Sequence, residues 1–174
     1  ADSVAGIRAE VADAIVDDHA PRESVEEEWD LPALAAALER EFSVKVDPQA
    51  WIDADKELTN EGLRERLVNE VEAAYQRKVE QVGAPVMRHL EKAVMLQELD
   101  RHWREHLAAM DYLRQGIHLR AYAQKNPKQE YKRESFELFS ALLDRIKHGT
   151  ITLLSRLQVR SEAEIEAQER EHER

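Results

Sequence analysis

Cysteine is absent from this chain of 174 residues, and glycine and proline contribute only five residues each. Without cysteine there is no disulfide framework, no cysteine-ligated zinc site and no thiol nucleophile. All-β sandwiches and barrels need a turn roughly every 8–12 residues, so the shortage of glycine and proline argues against them. The sequence therefore predicts an all-α chain of one or two domains.

Long hydrophobic runs are missing as well. Charged residues make up 35% of the chain and the mean hydropathy is −0.65, and no apolar run approaches the ~18 residues of a membrane span. The N-terminus has no basic segment followed by an apolar one, so no signal peptide is visible. These absences indicate a soluble intracellular chain, and its 43% hydrophobic residues suffice for a buried core.

Charge divides the chain into three stretches. Residues 1–82 carry 21 acidic and 9 basic side chains, a net charge of −12. Residues 83–160 carry 14 basic and 9 acidic ones, net +5, and residues 161–174 have a net charge of −4. Such asymmetry is typical of segments with different faces or partners, although two solvated helical units without distinct partners would give the same pattern.

Caps and breakers divide the first 82 residues into short helices. Apolar residues at helical spacing predict a first helix that ends before Pro21. The spacing of Ser24 and Glu27 suits a capping box. Trp29 and Trp51 are interpreted as packing anchors. Further helices are predicted to begin after Asp30, after Asp47 and at Thr59 or Asn60, the last one ending at Gly83.

Apolar residues then recur every seven positions, as they do in paired helices. The seams predicted to pack two helices together consist of Leu96, Trp103, Met110 and Ile117 in the first helix and of Phe139 and Ile146 in the second. The intervening loop is short, so the helices must run antiparallel. Each is about 30 residues or roughly 45 Å long.

An aromatic residue stands in the predicted loop. Asn126 can cap the second helix with Pro127 at its first position, which leaves Tyr122 at the tip, flanked by Arg120 and Lys125. A tip cannot bury an aromatic ring within its own paired helices. Tyr122 therefore docks on a neighbour, contacts a partner, folds back on the hairpin, or is simply exposed to solvent.

Two residues weaken the second predicted helix. Gly149 costs about 1 kcal/mol relative to alanine in a helix interior, and Thr150 places a hydroxyl group on the predicted seam. We therefore expect a bend or a frayed segment at these two positions.

His102, Glu105 and His106 match the H-x-x-E-H pattern of inverted zinc peptidases. Two histidines at i and i+4 share one helix face and can hold a metal ion. The candidates for a third ligand are Glu134, Glu137 and His148. Because a pattern with three fixed positions arises often by chance, a packed histidine on the seam is the favoured interpretation. No catalytic residue and no metal site are predicted.

Motifs for nucleotides and nucleic acids are also lacking. No glycine-rich phosphate loop occurs, so the chain cannot bind a nucleotide through a Walker-type loop. Basic residues of 83–160 are interleaved with acidic ones and form no stripe. Nucleic acid is therefore not a predicted partner.

Two long stretches resemble the SecA family, whose members are the ATPases that drive preproteins through the bacterial SecYEG channel. They are residues 103–120 (WREHLAAMDYLRQGIHLR) and residues 122–136 (YAQKNPKQEYKRESF). Shorter stretches, EEWD at 27–30, LRER at 63–66 and YQRK at 75–78, resemble the family in the same order and at matching spacing. The resemblance covers residues 3–160.

This resemblance implies a small helical wing domain followed by a long antiparallel helical hairpin. Residues 1–82 would be the wing domain, 83–160 the helical scaffold with the two-helix finger, and 161–174 the start of the C-terminal linker. The family's motor domains, its preprotein-crosslinking domain and its zinc-binding tail have no counterpart in the sequence. The resemblance therefore implies a fragment without catalysis or cofactor, whose parent binds ATP and Mg²⁺ in the motor domains.

The resemblance also implies a function for the tip. In the family the finger tip points into the channel mouth, and an aromatic tip residue contacts the translocating chain. Tyr122 occupies that position, flanked by Arg120, Ala121 and Lys125. Ala121 stands where the family pattern has glycine, which implies a less flexible tip, and Gly149 stands where a charged residue is expected.

The implied partners are the SecYEG channel, the preprotein and its signal sequence, the SecA motor domains, and an anionic membrane surface through the parent protein. The resemblance also leaves a homodimer possible as a further partner state. The implied location is the bacterial cytoplasm and the cytoplasmic face of the plasma membrane, where the parent is a peripheral protein. The finger would also help to regulate ATPase activity. In the alternative interpretation, the helices are a scaffold that serves intramolecular packing only.

Overall fold

A computed structural model of the chain describes residues 2–117 and 126–157. Six α-helices and one 3₁₀ turn, at Glu26–Glu28, occur in these two ranges. The helices are α1 Asp2–His19, α2 Leu31–Phe42, α3 Pro48–Ala54, α4 Asn60–Val82, α5 Ala84–Gly116 and α6 Pro127–Arg156. No strand occurs there, so the predicted all-α fold is confirmed. None of these helices has a stretch long and apolar enough to cross a membrane.

Local caps set the helix boundaries of the first half as the sequence predicts. The side chains of Asp30, Asp47 and Thr59 each accept a hydrogen bond from the backbone N–H three residues further on, at 3.0–3.2 Å. Such a cap satisfies one of the free donors at a helix start. α4 ends at Gly83, whose φ of 84° lies in a region that favours glycine.

Ser24 does not form the expected capping box. The 3₁₀ turn follows Val25, which makes no side-chain cap. The Ser24 hydroxyl instead donates to the Pro21 carbonyl at 2.7 Å and accepts from Trp29 Nε1 at 3.0 Å. The same residue therefore closes the loop between α1 and α2 and holds the indole of Trp29, which is half-buried.

The described residues group into two compact units. The first unit contains the described residues up to Glu91 together with those from Ile151 onward, and the second unit is Lys92–Thr150. These limits differ from the boundaries predicted at residues 82 and 160. The division into a wing domain, a scaffold and a linker therefore stays a prediction.

The first unit has an apolar core. α1 packs against α2 and α4, and α2 packs against α3. The predicted apolar faces of these helices are confirmed, since the side chains at helical spacing are almost fully buried: Val11, Ile15, Leu34, Leu38, Phe42, Leu63, Leu67 and Val71. Each such side chain stabilises the fold by about 1.5–3 kcal/mol when it leaves water.

A buried arginine joins α4 to the end of α1. The Arg64 side chain is 3% exposed, and it donates to Asp13 Oδ1 at 2.9 Å, to Asp17 Oδ1 at 2.7 Å and to the Ala20 carbonyl at 2.9 Å. Its Nε donates to Asn60 Oδ1 at 2.6 Å. The rigid fork of a guanidinium can reach several acceptors at once, so one side chain connects two helices and the chain that leaves α1.

Because of this contact, the contribution of Asp13 to the stability of the fold depends on pH. Partial burial alone would raise the pKa of Asp13, but hydrogen bonds from Arg64 and Arg22, together with their charges, hold that pKa below its usual value. The interaction therefore stabilises the fold above the unfolded-state pKa of about 3.9. This contribution is lost as the pH falls through the lower pKa of the folded state.

Replacing Arg64 with methionine is expected to lower the free energy of unfolding by about 3 kcal/mol, because a buried carbonyl and two carboxylates lose charged donors. Urea unfolding at neutral pH measures the loss. In acid below about pH 4, the difference in the free energy of unfolding between variant and wild type should narrow, because the wild type then loses the ion pair of Arg64 with Asp13.

Arg22→Met is the matched control for Arg64→Met. Arg22 pairs with the same Asp13 carboxylate at 3.0 Å, but its side chain is 51% exposed. Exposed ion pairs contribute little to stability, so the control should lose much less. Equal losses for the two variants would contradict the importance of the buried contact.

Candidate functional site

The residues predicted at the hairpin tip, Arg120, Ala121, Tyr122 and Lys125, lie outside the described residues. The structure describes the helices on both sides of them. As predicted, Asn126 caps α6, since its Oδ1 accepts a hydrogen bond from the Lys128 N–H at 3.1 Å. The contact between the tip and a translocating chain stays a prediction.

Within the second unit, α5 and α6 run antiparallel. The His106 ring on α5 lies 6.1 Å from the Phe139 ring on α6. Glu98, two turns earlier on α5, lies against Gly149, which comes later on α6. Moving forward along one helix therefore means moving backward along the other. The end of α5 and the beginning of α6 lie at the same end of the unit, which confirms the predicted antiparallel hairpin.

A buried carboxylate lies between these two helices. Glu98 is 1% exposed, and its Oε2 accepts a hydrogen bond from Arg101 Nη2 at 2.6 Å. Its Oε1 has no hydrogen-bond partner among the described residues, and neither does the buried hydroxyl of Thr150. Burying a charge is costly unless it is paired, so the site depends strongly on the single donor from Arg101.

Gly149 makes room for the Glu98 side chain. A Cβ atom at position 149 would overlap Glu98 Oε2 and lie 3.0 Å from its Cδ. α6 nevertheless continues unbroken from Pro127 to Arg156, so the expectation of a frayed segment at Gly149 and Thr150 is wrong. A lone glycine inside a helical pattern can indicate a close approach of this kind, and that is the clue in the sequence for this contact.

His102 uses both of its ring nitrogens within α5. Arginine nitrogens only donate, so Nε2 of His102 accepts from Arg101 Nη2 at 2.9 Å. Nδ1 then carries the proton and donates to Glu105 Oε2 at 2.9 Å. This hydrogen bond from His102 holds the pKa of the Glu105 carboxyl group below its usual value.

His106 is packed between two aromatic rings. It is 6% exposed and lies 5.6 Å from the Trp103 ring on one side and 6.1 Å from the Phe139 ring on the other. Glu137, one of the candidate third ligands, pairs with Arg133 at 2.7 Å. In the ranges that the structure describes, no three histidine, aspartate or glutamate side chains are placed to share a metal ion. This geometry favours the packed histidine over the zinc site.

The seam between the helices is more polar than predicted. The positions of α5 that are buried in the second unit repeat every three to four residues and include Glu98, His102, His106 and Leu113. Of the predicted seam residues, Ile117 is buried as expected, and Met110 and Ile146 are half-buried. Leu96 and Trp103 are 60% and 42% exposed, so these two predictions are wrong. Phe139 is 45% exposed, although its ring contacts His106 of α5 across the helix pair at 6.1 Å. The predicted stripe lies beside the buried one, roughly a quarter turn around the helix.

The displaced residues belong to an exposed apolar face. They share one side of each helix, and every member is between 40% and 70% exposed. This apolar face consists of Leu96, Leu99, Trp103 and Leu107 on α5 and of Phe136, Phe139 and Leu143 on α6. Contiguous apolar surface of this kind is typical of a contact site.

Fold and site together define a class: an all-α chain with a compact bundle and an antiparallel helix pair that carries an apolar face. A family model described as the SecA wing and scaffold domain matches residues 1–158. The chain belongs to this family, as its motifs predicted. The protein translocase subunit SecA of Nitrosococcus oceani is 55% identical over 168 residues, which cover 97% of this chain and 19% of that relative. The chain thus spans about a fifth of the length of this relative.

Gly149→Ala is expected to lower the free energy of unfolding while Glu98 is present, because the added methyl group takes the space of a buried carboxylate. In a Glu98→Ala background, the same change should instead stabilise by about 1 kcal/mol, the usual gain of alanine over glycine in a helix. Urea unfolding of the four proteins gives the coupling energy, expected at about 1–3 kcal/mol.

Gly6→Ala in α1 is the matched control for this pair. Nothing lies within 4 Å of a Cβ atom at position 6, so alanine should stabilise by about 1 kcal/mol with or without Glu98. If Gly149→Ala stabilises the protein while Glu98 is present, the close approach of Glu98 to Gly149 does not contribute to stability.

Proposed function

We propose that this chain is part of a protein-translocating ATPase, in which the paired helices α5 and α6 present Tyr122 to a preprotein at the SecYEG channel. The observation that carries this proposal is the family match over residues 1–158. The fragment itself does not hydrolyse ATP, since ATP and Mg²⁺ bind to the motor domains of the parent. The parent acts as a peripheral protein at the cytoplasmic face of the bacterial plasma membrane, where signal sequences and anionic lipids are further partners.

The contacts within the helix pair support a fixed position for the tip. A helix that slides while keeping the same face towards its partner moves by whole turns of three to four residues, about 5.4 Å. Sliding α6 in this way would bring the side chain of Arg145 or Ile146 against Glu98 in place of Gly149. The close approach of Glu98 to Gly149 therefore favours a single register of α5 and α6. With a single register, the tip would have one position along the axis of the helix pair.

Tyrosine suits a contact with unrelated peptide segments. Its ring offers a large flat surface and its hydroxyl group a polar end, with few rotatable bonds to immobilise. Arg120 and Lys125 beside Tyr122 would orient the tip towards acidic or polar groups. Such a tip can grip a translocating chain without reading its sequence.

Tyr122→Ala in the complete protein is expected to slow preprotein transport by about tenfold, which corresponds to the loss of an aromatic contact of about 1.4 kcal/mol. Uptake of a labelled preprotein into inverted membrane vesicles measures the rate. Thermal unfolding of the 174-residue chain should be unchanged.

Tyr112→Ala is the control for the tip variant. Tyr112 is 81% exposed on α5, so its loss removes an exposed aromatic ring from the same helix pair without touching the tip. Transport should stay near the wild-type rate. If the Tyr122 variant also transports the preprotein at the wild-type rate, contact between the tip and the preprotein does not contribute to transport.

The apolar face also supports a regulatory role for the helix pair, in which it contacts the motor domains and helps to restrain their ATPase activity. Seven large, partly exposed apolar side chains form this face, as is typical of a contact surface. In the alternative function, the helix pair is a scaffold that serves intramolecular packing only.

Adding this chain to separately prepared motor domains is expected to lower ATP turnover through binding at the apolar face. Leu96→Ser should weaken the association by about tenfold, since a leucine side chain then no longer leaves water. Val86→Ser is the control, because Val86 is 57% exposed on the same helix but lies outside the apolar face. If the chain does not associate with the motor domains, or if both changes weaken the association equally, the regulatory role of the apolar face is contradicted.

A further inference from the structure

The first unit contains an open cavity of about 480 Å³ with a cationic lining. Its basic side chains are Arg8 on α1, Arg77 and Lys78 on α4, and Arg156 at the end of α6. No aspartate or glutamate is among the described lining residues. We call this cavity with its four cations the basic pocket. Its positive lining contrasts with the net negative charge of residues 1–82, which carry 21 acidic and only 9 basic side chains.

Arg8 is the most buried of the four cations. Its side chain is 4% exposed, and the guanidinium carbon lies 3.8 Å from the centre of the Tyr75 ring. Nε and Nη2 donate to Glu72 Oε2 at 2.9 and 2.5 Å, whereas Nη1 is buried and has no partner among the described residues. A buried donor without an acceptor costs about 1–3 kcal/mol, so the Arg8 side chain is not fully satisfied by the described residues.

In the described ranges, no hydrogen bond pairs the other cations with a carboxylate, although the charge of Arg156 acts on the Glu41 carboxylate and helps to lower its pKa. Lys78 Nζ donates to the carbonyls of Leu154, at 3.1 Å, and of Ser155. Arg156 Nη2 donates to the Arg40 carbonyl at 2.8 Å. Arg77 is exposed. Burial lowers the pKa of Lys78, since carbonyl oxygens stabilise its charge less than an anion would.

We propose that the basic pocket binds a small phosphate-bearing anion. Phosphate accepts paired hydrogen bonds from guanidinium groups, and its charge complements Lys78 and Arg156, whose hydrogen bonds go to neutral carbonyls. Phe42 and Val71 line the same cavity, so the organic part of a phosphate ester would meet apolar surface. The volume falls within the range of about 300–1,000 Å³ that is typical of small-molecule sites.

Calorimetric titration of the 174-residue chain with pyrophosphate tests the pocket. Binding is expected at low ionic strength and should weaken with added salt. Gln81→Glu places a negative charge on the pocket lining and should weaken binding at least about tenfold. Asn69→Asp adds the same charge to an exposed position of α4 outside the pocket, and it should have little effect.

A second pair of variants removes positive charge instead. Arg77→Gln takes a cation from the pocket, whereas Lys45→Gln takes one from an exposed position outside it. Only the first change should weaken binding, again by about tenfold. Circular dichroism should show all four variants folded, so that a loss of binding reports on the pocket.

Vesicles of phosphatidylglycerol, compared with phosphatidylcholine vesicles, distinguish the two sources of phosphate. Binding of pyrophosphate but not of anionic vesicles indicates a soluble ligand. Binding of anionic vesicles that Gln81→Glu abolishes indicates a lipid headgroup. The proposal is overturned if neither probe binds, or if Gln81→Glu and Asn69→Asp weaken binding equally.

Discussion

The approach of the Glu98 carboxylate to the backbone of Gly149 is the constraint on which the helix pair depends. It places a charge where little water reaches, with one donor from Arg101 to compensate it. A buried ion of this kind adds little net stability to the folded chain, but it makes other registers of α5 and α6 less stable. Because a side chain other than glycine would meet the carboxylate, the contact favours one register.

The two units differ in how they are stabilised. In the first unit, apolar side chains of α1, α2 and α4 fill the core, and Arg64 connects the helices through charged hydrogen bonds. In the second unit, much of the buried face is polar and the apolar face points to solvent. The first arrangement is sufficient for a stable bundle, whereas the second suits helices that also contact something outside this chain.

The helix boundaries could be predicted from the sequence because caps are local. Asp30, Asp47, Thr59 and Gly83 act within three or four residues of themselves, so the sequence contains all the partners of each cap. The seam of the helix pair could not be predicted in this way. Counting apolar residues every seven positions identified the stripe that contains Leu96, whereas the side that faces the partner helix depends on tertiary contacts. The family was predicted correctly from long motifs, although these motifs do not give the geometry of the tip.

In the proposed function, the helix pair holds Tyr122 against the translocating chain. Photo-crosslinking tests it most directly, with benzoylphenylalanine in place of Tyr122 in the complete protein and a preprotein arrested in the channel. The same probe in place of Tyr112, which is 81% exposed on α5, is the reference. A covalent preprotein adduct is expected from position 122, and little adduct is expected from position 112. Equal yields at the two positions, or no adduct at position 122, would contradict it.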